Sequence, residues 1–184
     1  MDRRQDDPEL TEREGHSRIM IANEHFIDGR AIAGTLSGLL LDHDGLMTPR
    51  LSKAFGELTA AKRSHCLSET SFNRASLLCR KVDGQVILRA KLNIMIAELP
   101  EPLIDQLEKS DQLFGQLLIK YGVKVKFANR QLLRHGHGCY GRKLQMLSVN
   151  TGKIVCEVAE FLENEASLIR LCDREYSTML ELGS

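Results

Sequence analysis

Between Thr70 and Ile96 the chain reads TSFNRASLLCRKVDGQVILRAKLNIMI, two alternating β-like runs on either side of Asp83-Gly84. An Asp-Gly pair between such runs is a strong hairpin signal, because glycine takes the left-handed backbone that the tight turn needs. In the second run Val86, Leu88, Ala90, Leu92, Ile94 and Ile96 recur at every second position, giving one uninterrupted apolar strand face. A sheet with such a face must be covered, so the chain needs helices or a second sheet to lay against it.

The helices are legible on both sides of the hairpin. AIAGTLSGLLLDHDG places Ile32, Leu36, Leu39 and Leu40 at helical spacing and stops at Gly45. MTPRLSKAFG restarts with Thr48 as a cap and Pro49 at the first helical position, and ends at Gly56. After the hairpin, LPEPLIDQLEKS and DQLFGQLLIKYG read as two short helices, with Ser110 or Asp111 as caps and Gly122 as the terminator. VKVKFANRQLL then returns to strand alternation, RHGHGCYG reads as a loop, RKLQMLSV as a strand, NTG as a turn and KIVCEVAEFL as a last strand. That last stretch also carries a helical spacing at Val155, Ala159 and Leu162, but Gly152 and the β-like run before it favour a strand. Residues 163–184 are helix-compatible. Strands joined by hairpins, with helices grouped rather than interleaved, predict an α+β fold built on a single antiparallel sheet.

The bulk properties exclude several classes of function. With 184 residues and neither a repeat nor a Pro- or Ser-rich linker, the expectation is one domain over residues 19–184. Residues 1–18 are charged and poor in large apolar groups, and are expected to be a disordered arm. Twenty-five basic residues balance twenty-five acidic ones and tryptophan is absent, so neither a global field nor a stacking platform points to nucleic acid. No apolar run is long enough to span a bilayer, and the first residues lack the apolar core of a secretory signal. The expected partner is a small molecule, and the expected location is the cytoplasm. The five cysteines, Cys66, Cys79, Cys139, Cys156 and Cys172, show no CxxC spacing and read as reduced thiols. His135, His137 and Cys139 alternate in RHGHGCYG, but no fourth donor accompanies them, so the stretch reads as a loop and not as a metal site.

Ionisable residues on apolar strand faces carry the functional signal. In the last strand Ile154, Cys156, Val158, Glu160 and Leu162 point the same way, which turns a carboxylate toward the core. Arg74 shares its face with Phe72, Ser76 and Leu78, and Arg142 shares its face with Leu144 and Met146. One reading pairs Arg74 or Arg142 with Glu160 inside the sheet, or lets the arginines reach its edge. The other is a pocket on one sheet face, where guanidiniums bind carboxylates and a buried acid moves protons. Lys91 shares its face with Arg89 and Asn93, which reads as a solvated face.

The order LLLDHDGLMTPRL, FNRASLLCRKVDGQVILRAKLNIMIAELP, DQLFGQLLIKYG, GCYGRKLQMLS and GKIVCEVAEFL resembles the chorismate lyase family over about residues 36–162. The resemblance implies an antiparallel sheet whose helical flaps close an internal pocket, and a cofactor-free lyase that removes pyruvate from chorismate to leave 4-hydroxybenzoate. The expected assembly is a monomer or homodimer. The resemblance assigns the substrate-carboxylate arginine to Arg74 and the flap residue beside the product ring to Met47. A second family arginine falls at Lys91, where the charge is kept without the bidentate fork. The Leu-Gly of the other flap becomes Phe114-Gly115, and the Gly-Arg ahead of a strand becomes Gly141-Arg142. The catalytic acid falls at Glu160, with Glu157 as its rival if the register slips. A non-catalytic sensor for small aromatic acids, or a lyase for a related enolpyruvyl substrate, would use the same pocket.

Overall fold

The computed structural model describes residues 24–136 and 138–172. The described strands are β1 (Glu24–Ile27), β2 (Leu58–Leu67), β3 (Ser71–Arg80), β4 (Val86–Met95), β5 (Val125–His135), β6 (Cys139–Ser148) and β7 (Ile154–Leu162). The described helices are α1 (Leu36–Leu41), α2 (Met47–Phe55), α3 (Glu101–Lys109), α4 (Phe114–Lys120) and α5 (Glu165–Leu171). The strands form one seven-stranded sheet in the order β1-β5-β6-β7-β4-β3-β2, antiparallel at every pairing. The class is therefore α+β on a single antiparallel sheet. The expected arm of residues 1–18 and the end of the expected C-terminal helix lie outside the described residues.

Local chemistry accounts for most elements. Gly84 takes φ 71 in the β3–β4 turn, so the Asp-Gly signal marks the observed hairpin. In β4, Leu88, Ala90, Leu92 and Ile94 are all buried, whereas Ile96 falls in a short 3-10 turn beyond the strand. The first helix is shorter than its apolar spacing predicts. Ile32 belongs to a 3-10 turn, and α1 begins only after Thr35, whose hydroxyl accepts from Gly38 N. A Cβ on Gly38 would lie 2.0 Å from the Ile32 carbonyl oxygen, so this tight connection requires glycine. Helix α2 starts two residues earlier than Thr48 capping predicts, at Met47, with Leu46 as its uncapped N-cap.

Two further corrections concern the connections. Ser110 is the C-cap of α3, and α4 starts at Phe114 with no side-chain cap, so neither Ser110 nor Asp111 caps it. RHGHGCYG is mostly strand: His135 pairs with Cys139 across the β5–β6 hairpin, and His137 lies outside the described residues. The apolar face of the sheet packs under α1–α4, and the main core includes Leu40, Leu51, Phe72, Leu103, Leu117 and Val158. Among the described residues no helix is long and apolar enough to cross a membrane.

Candidate functional site

Cross-strand register determines which side chains meet. Ser76 pairs with Ala90, Ala90 with Glu160, and Glu160 with Arg142, so these four form one row across β3, β4, β7 and β6. The neighbouring row is Arg74, Leu92, Val158 and Leu144. Residues directly opposite in an antiparallel ladder project from the same face. Arg74, Arg142 and Glu160 therefore share the covered face, at 3%, 1% and 8% exposure. The last strand keeps the register that its alternation predicts. Glu157 projects to the other side, where Gln145 Nε2 donates to its Oε1 at 3.0 Å.

Over these rows lies a cavity of about 50 Å³. Arg74, Ser76, Ala90 and Glu160 line its floor, Met47 with Leu46 one wall, and Phe114 with Gly115 the other. The walls are the N-terminal ends of α2 and α4, which meet above the sheet. A Cβ on Gly115 would stand 3.0 Å from Leu46 Cδ2, so a side chain there would press on the Leu46 side chain. The space holds a few waters but not a ring, so a ring acid enters only when these segments move apart.

The arginines hold the walls down. Arg74 Nη1 donates to Gln112 O at 2.9 Å and Nη2 to Asp111 O at 3.2 Å, which ties the segment before α4 to β3. Its Nε donates to Ser76 Oγ at 2.8 Å. Burial pushes the Arg74 guanidinium below its ordinary value, and the nearby charge of Asp111 opposes that shift. Arg142 Nε donates to Glu160 Oε2 at 2.7 Å. Arg142 Nη1 donates to His43 O and Nη2 to Gly45 O, both at 2.8 Å, which ties down the segment before α2. The same segment is held from outside by Arg130, which bridges Asp42 and Asp44.

His43 completes this arrangement. Its Nε2 lies 3.3 Å from Arg142 Nη1, and arginine has no acceptor, so the contact requires a neutral imidazole with its proton on Nδ1. Burial, followed by the charges of Arg142, Arg50 and Arg130, pushes His43 down to about 4, with Asp44 opposing. The imidazole is thus neutral across the physiological range.

Of the residues expected from sequence, Met47, Arg74, Phe114, Gly115 and Glu160 come together around the cavity. Arg142 does not line it; it stands behind Glu160 with its donors directed at protein atoms. Lys91 is not brought to the site. It is exposed and pairs with Ala75 and Ala159, which places it on the opposite face of the sheet, as its alternation with Arg89 implies. Sequence reading overlooked Ser76 and His43 as functional groups. Ser76 was visible as the polar neighbour two residues from Arg74, whereas His43 sits in a loop with no periodicity to orient it.

A larger hollow of about 680 Å³ lies elsewhere, lined by Gly56, Glu57, Arg80, Lys81 and Leu171. Several of its polar groups are engaged: Lys81 Nζ pairs with Glu57 at 2.6 Å and Arg80 Nη1 donates to Leu171 O at 2.7 Å. The buried acid and guanidinium of the covered cavity make the smaller space the candidate site. No model of a known protein family matches the chain, and no curated protein matches it.

Proposed function

We propose that this protein is a lyase of the chorismate lyase type, which eliminates pyruvate from chorismate to leave 4-hydroxybenzoate. The observation that carries the reading is the buried row of Ser76, Ala90, Glu160 and Arg142, with Arg74 beside it, under two helical segments. In the elimination the ring carbon–oxygen bond to the enolpyruvyl group breaks, and its electron pair leaves with that oxygen. A hydrogen on the adjacent hydroxyl-bearing carbon leaves as a proton, and the ring becomes aromatic. The expelled group is the enolate of pyruvate, which takes up that proton at its methylene carbon and becomes pyruvate, so the atoms balance without an added reactant.

In this reading Glu160 moves the proton, Arg74 with its neighbours holds the ring carboxylate, and Arg142 supplies the positive charge that positions Glu160. A placed acid/base group contributes roughly two to four powers of ten in rate, and a fixed field in a dry site contributes more. Met47 and Phe114 pack on the ring and exclude water. The test is incubation of the purified protein with chorismate, following pyruvate and 4-hydroxybenzoate. Turnover that disappears in Glu160→Gln supports the reading, and turnover no higher than in that variant rejects it.

One observation favours a second reading of the same site, a sensor for small aromatic acids. Arg74 and Arg142 spend their Nη donors on backbone carbonyls of the two covering segments, so a ligand that displaced those carbonyls would report its presence as a change of shape. Thermal stabilisation by hydroxybenzoates without turnover of chorismate is the outcome that selects it.

A further inference from the structure

Arg74 lies along the sheet and does not aim its fork into the cavity. Both Nη atoms face the carbonyls of Asp111 and Gln112, and Nε faces Ser76 Oγ. Ser76 is 5% exposed and lines the cavity, and its hydroxyl accepts from Arg74 Nε at 2.8 Å. A hydroxyl has one proton and two lone pairs. Arg74 occupies one lone pair, so the proton remains available to rotate toward an acceptor in the cavity, where the charge behind it would polarise the bond.

The bonds of Arg74 to the covering segment must change when that segment moves to admit a ring. Its bond to Ser76 joins two residues of one strand and does not depend on the cover. We propose that the Ser76 hydroxyl, backed by Arg74, is the group that meets the ligand's carboxylate, while Glu160 meets a polar group at the other end of the ring. Only Ala90 stands between Ser76 and Glu160 in the row, and its methyl group leaves the floor low. Two strand spacings, about 10 Å, separate the two ends. The occupant is thus a single six-membered ring with a carboxylate at one end and a hydroxyl at the other. This rests on the ring-acid pocket of the proposed function and adds the residue that selects the acid end.

The experiment uses NMR titration of the full chain with 4-hydroxybenzoate and with 4-methylphenol, which lacks the carboxylate. Wild type, Ser76→Ala and Ser76→Thr are compared, with thermal unfolding run on each. Ser76→Ala is expected to weaken 4-hydroxybenzoate about tenfold or more, as loss of a hydrogen bond to a charged group does, and Ser76→Thr to restore it. Comparing the acid with 4-methylphenol in one protein cancels general damage to the pocket. Unchanged binding of the acid by Ser76→Ala overturns the proposal in favour of the bare guanidinium fork. Equal weakening of both ligands overturns it, as does wild type that binds no acid. Chorismate turnover on the same proteins separates the two levels. Ser76-dependent binding without turnover removes the lyase and keeps this inference, and turnover with Ser76-independent binding does the reverse.

Discussion

Arg142 Nε and Glu160 Oε2 are 2.7 Å apart inside the sheet, with side chains 1% and 10% exposed. A buried pair of this kind is a weak source of net stability, but removing one partner leaves the other charge unpaid for in low dielectric. The pair therefore behaves as a device for holding an acid in place.

Replacement of Glu160 separates its two roles. Glu160→Gln keeps an oxygen for Arg142 Nε but cannot carry the proton, so the fold is expected to survive while turnover falls by about two to four powers of ten. Glu160→Leu removes the acceptor of Arg142 Nε as well as the counter-charge, and is expected to lose about 3 kcal/mol or more in urea unfolding, beyond the loss in the Gln variant. Equal stability of the Leu and Gln variants would contradict this account.

Gly141 should tolerate no side chain. It pairs with Phe161 across β6 and β7, and a Cβ there would stand 2.4 Å from the Glu160 carbonyl oxygen and 2.6 Å from Phe161 Cδ1. The obstacle is backbone, so relief requires the two strands to part. Gly141→Ala is expected to cost about 1–3 kcal/mol, the usual penalty for overpacking, read as a lower melting temperature. Because Glu160 rides on the displaced strand, ligand affinity should fall in the same variant.

Acid sensitivity should trace to His43. Its folded-state value, about 4, is below the ordinary 6.5, so the unfolded chain binds the proton more readily. Stability therefore rises with pH between about 4 and 6.5, and is lost as pH falls through that window. His43→Gln keeps a neutral acceptor near Arg142 and removes the titration. The slope of unfolding free energy between pH 6.5 and 4 should be shallower in the variant, with little change at pH 8.

The carboxylate of Glu165 ties the two ends of the described chain together. Leu36 N donates to its Oε1 at 2.7 Å and Ser37 N to its Oε2 at 3.0 Å, and the Ser37 hydroxyl also meets it. It thereby caps the first turn of α1 from α5. Glu165→Ala should cost about 1–2 kcal/mol in chemical denaturation, with a smaller loss for Glu165→Gln, which keeps an acceptor.

Where a residue type and a period act together, the sequence alone was enough. Alternation in β7 puts Glu160 on the face of Cys156, Val158 and Leu162, and the observed register keeps it there beside Ala90 and Arg142. Asp83-Gly84 marked its turn because few residues accept that backbone. Strands β1 and β2 were invisible for the opposite reason. β1 has four residues, and β2 is an edge strand whose positions 64–67 are all exposed, so neither displays a buried face to pattern.

The chain by itself thus indicated an α+β class, the hairpin, and a shared face for Arg74, Arg142 and either Glu160 or its rival Glu157, since these follow from local backbone geometry and alternation. Only the tertiary structure decided that β7 lies between β4 and β6, which brings Glu160 beside Arg142 and Ala90. It alone also directed the arginines to carbonyls of the covering segments. Those contacts join residues tens of positions apart, and no local preference of either partner encodes the distance between them.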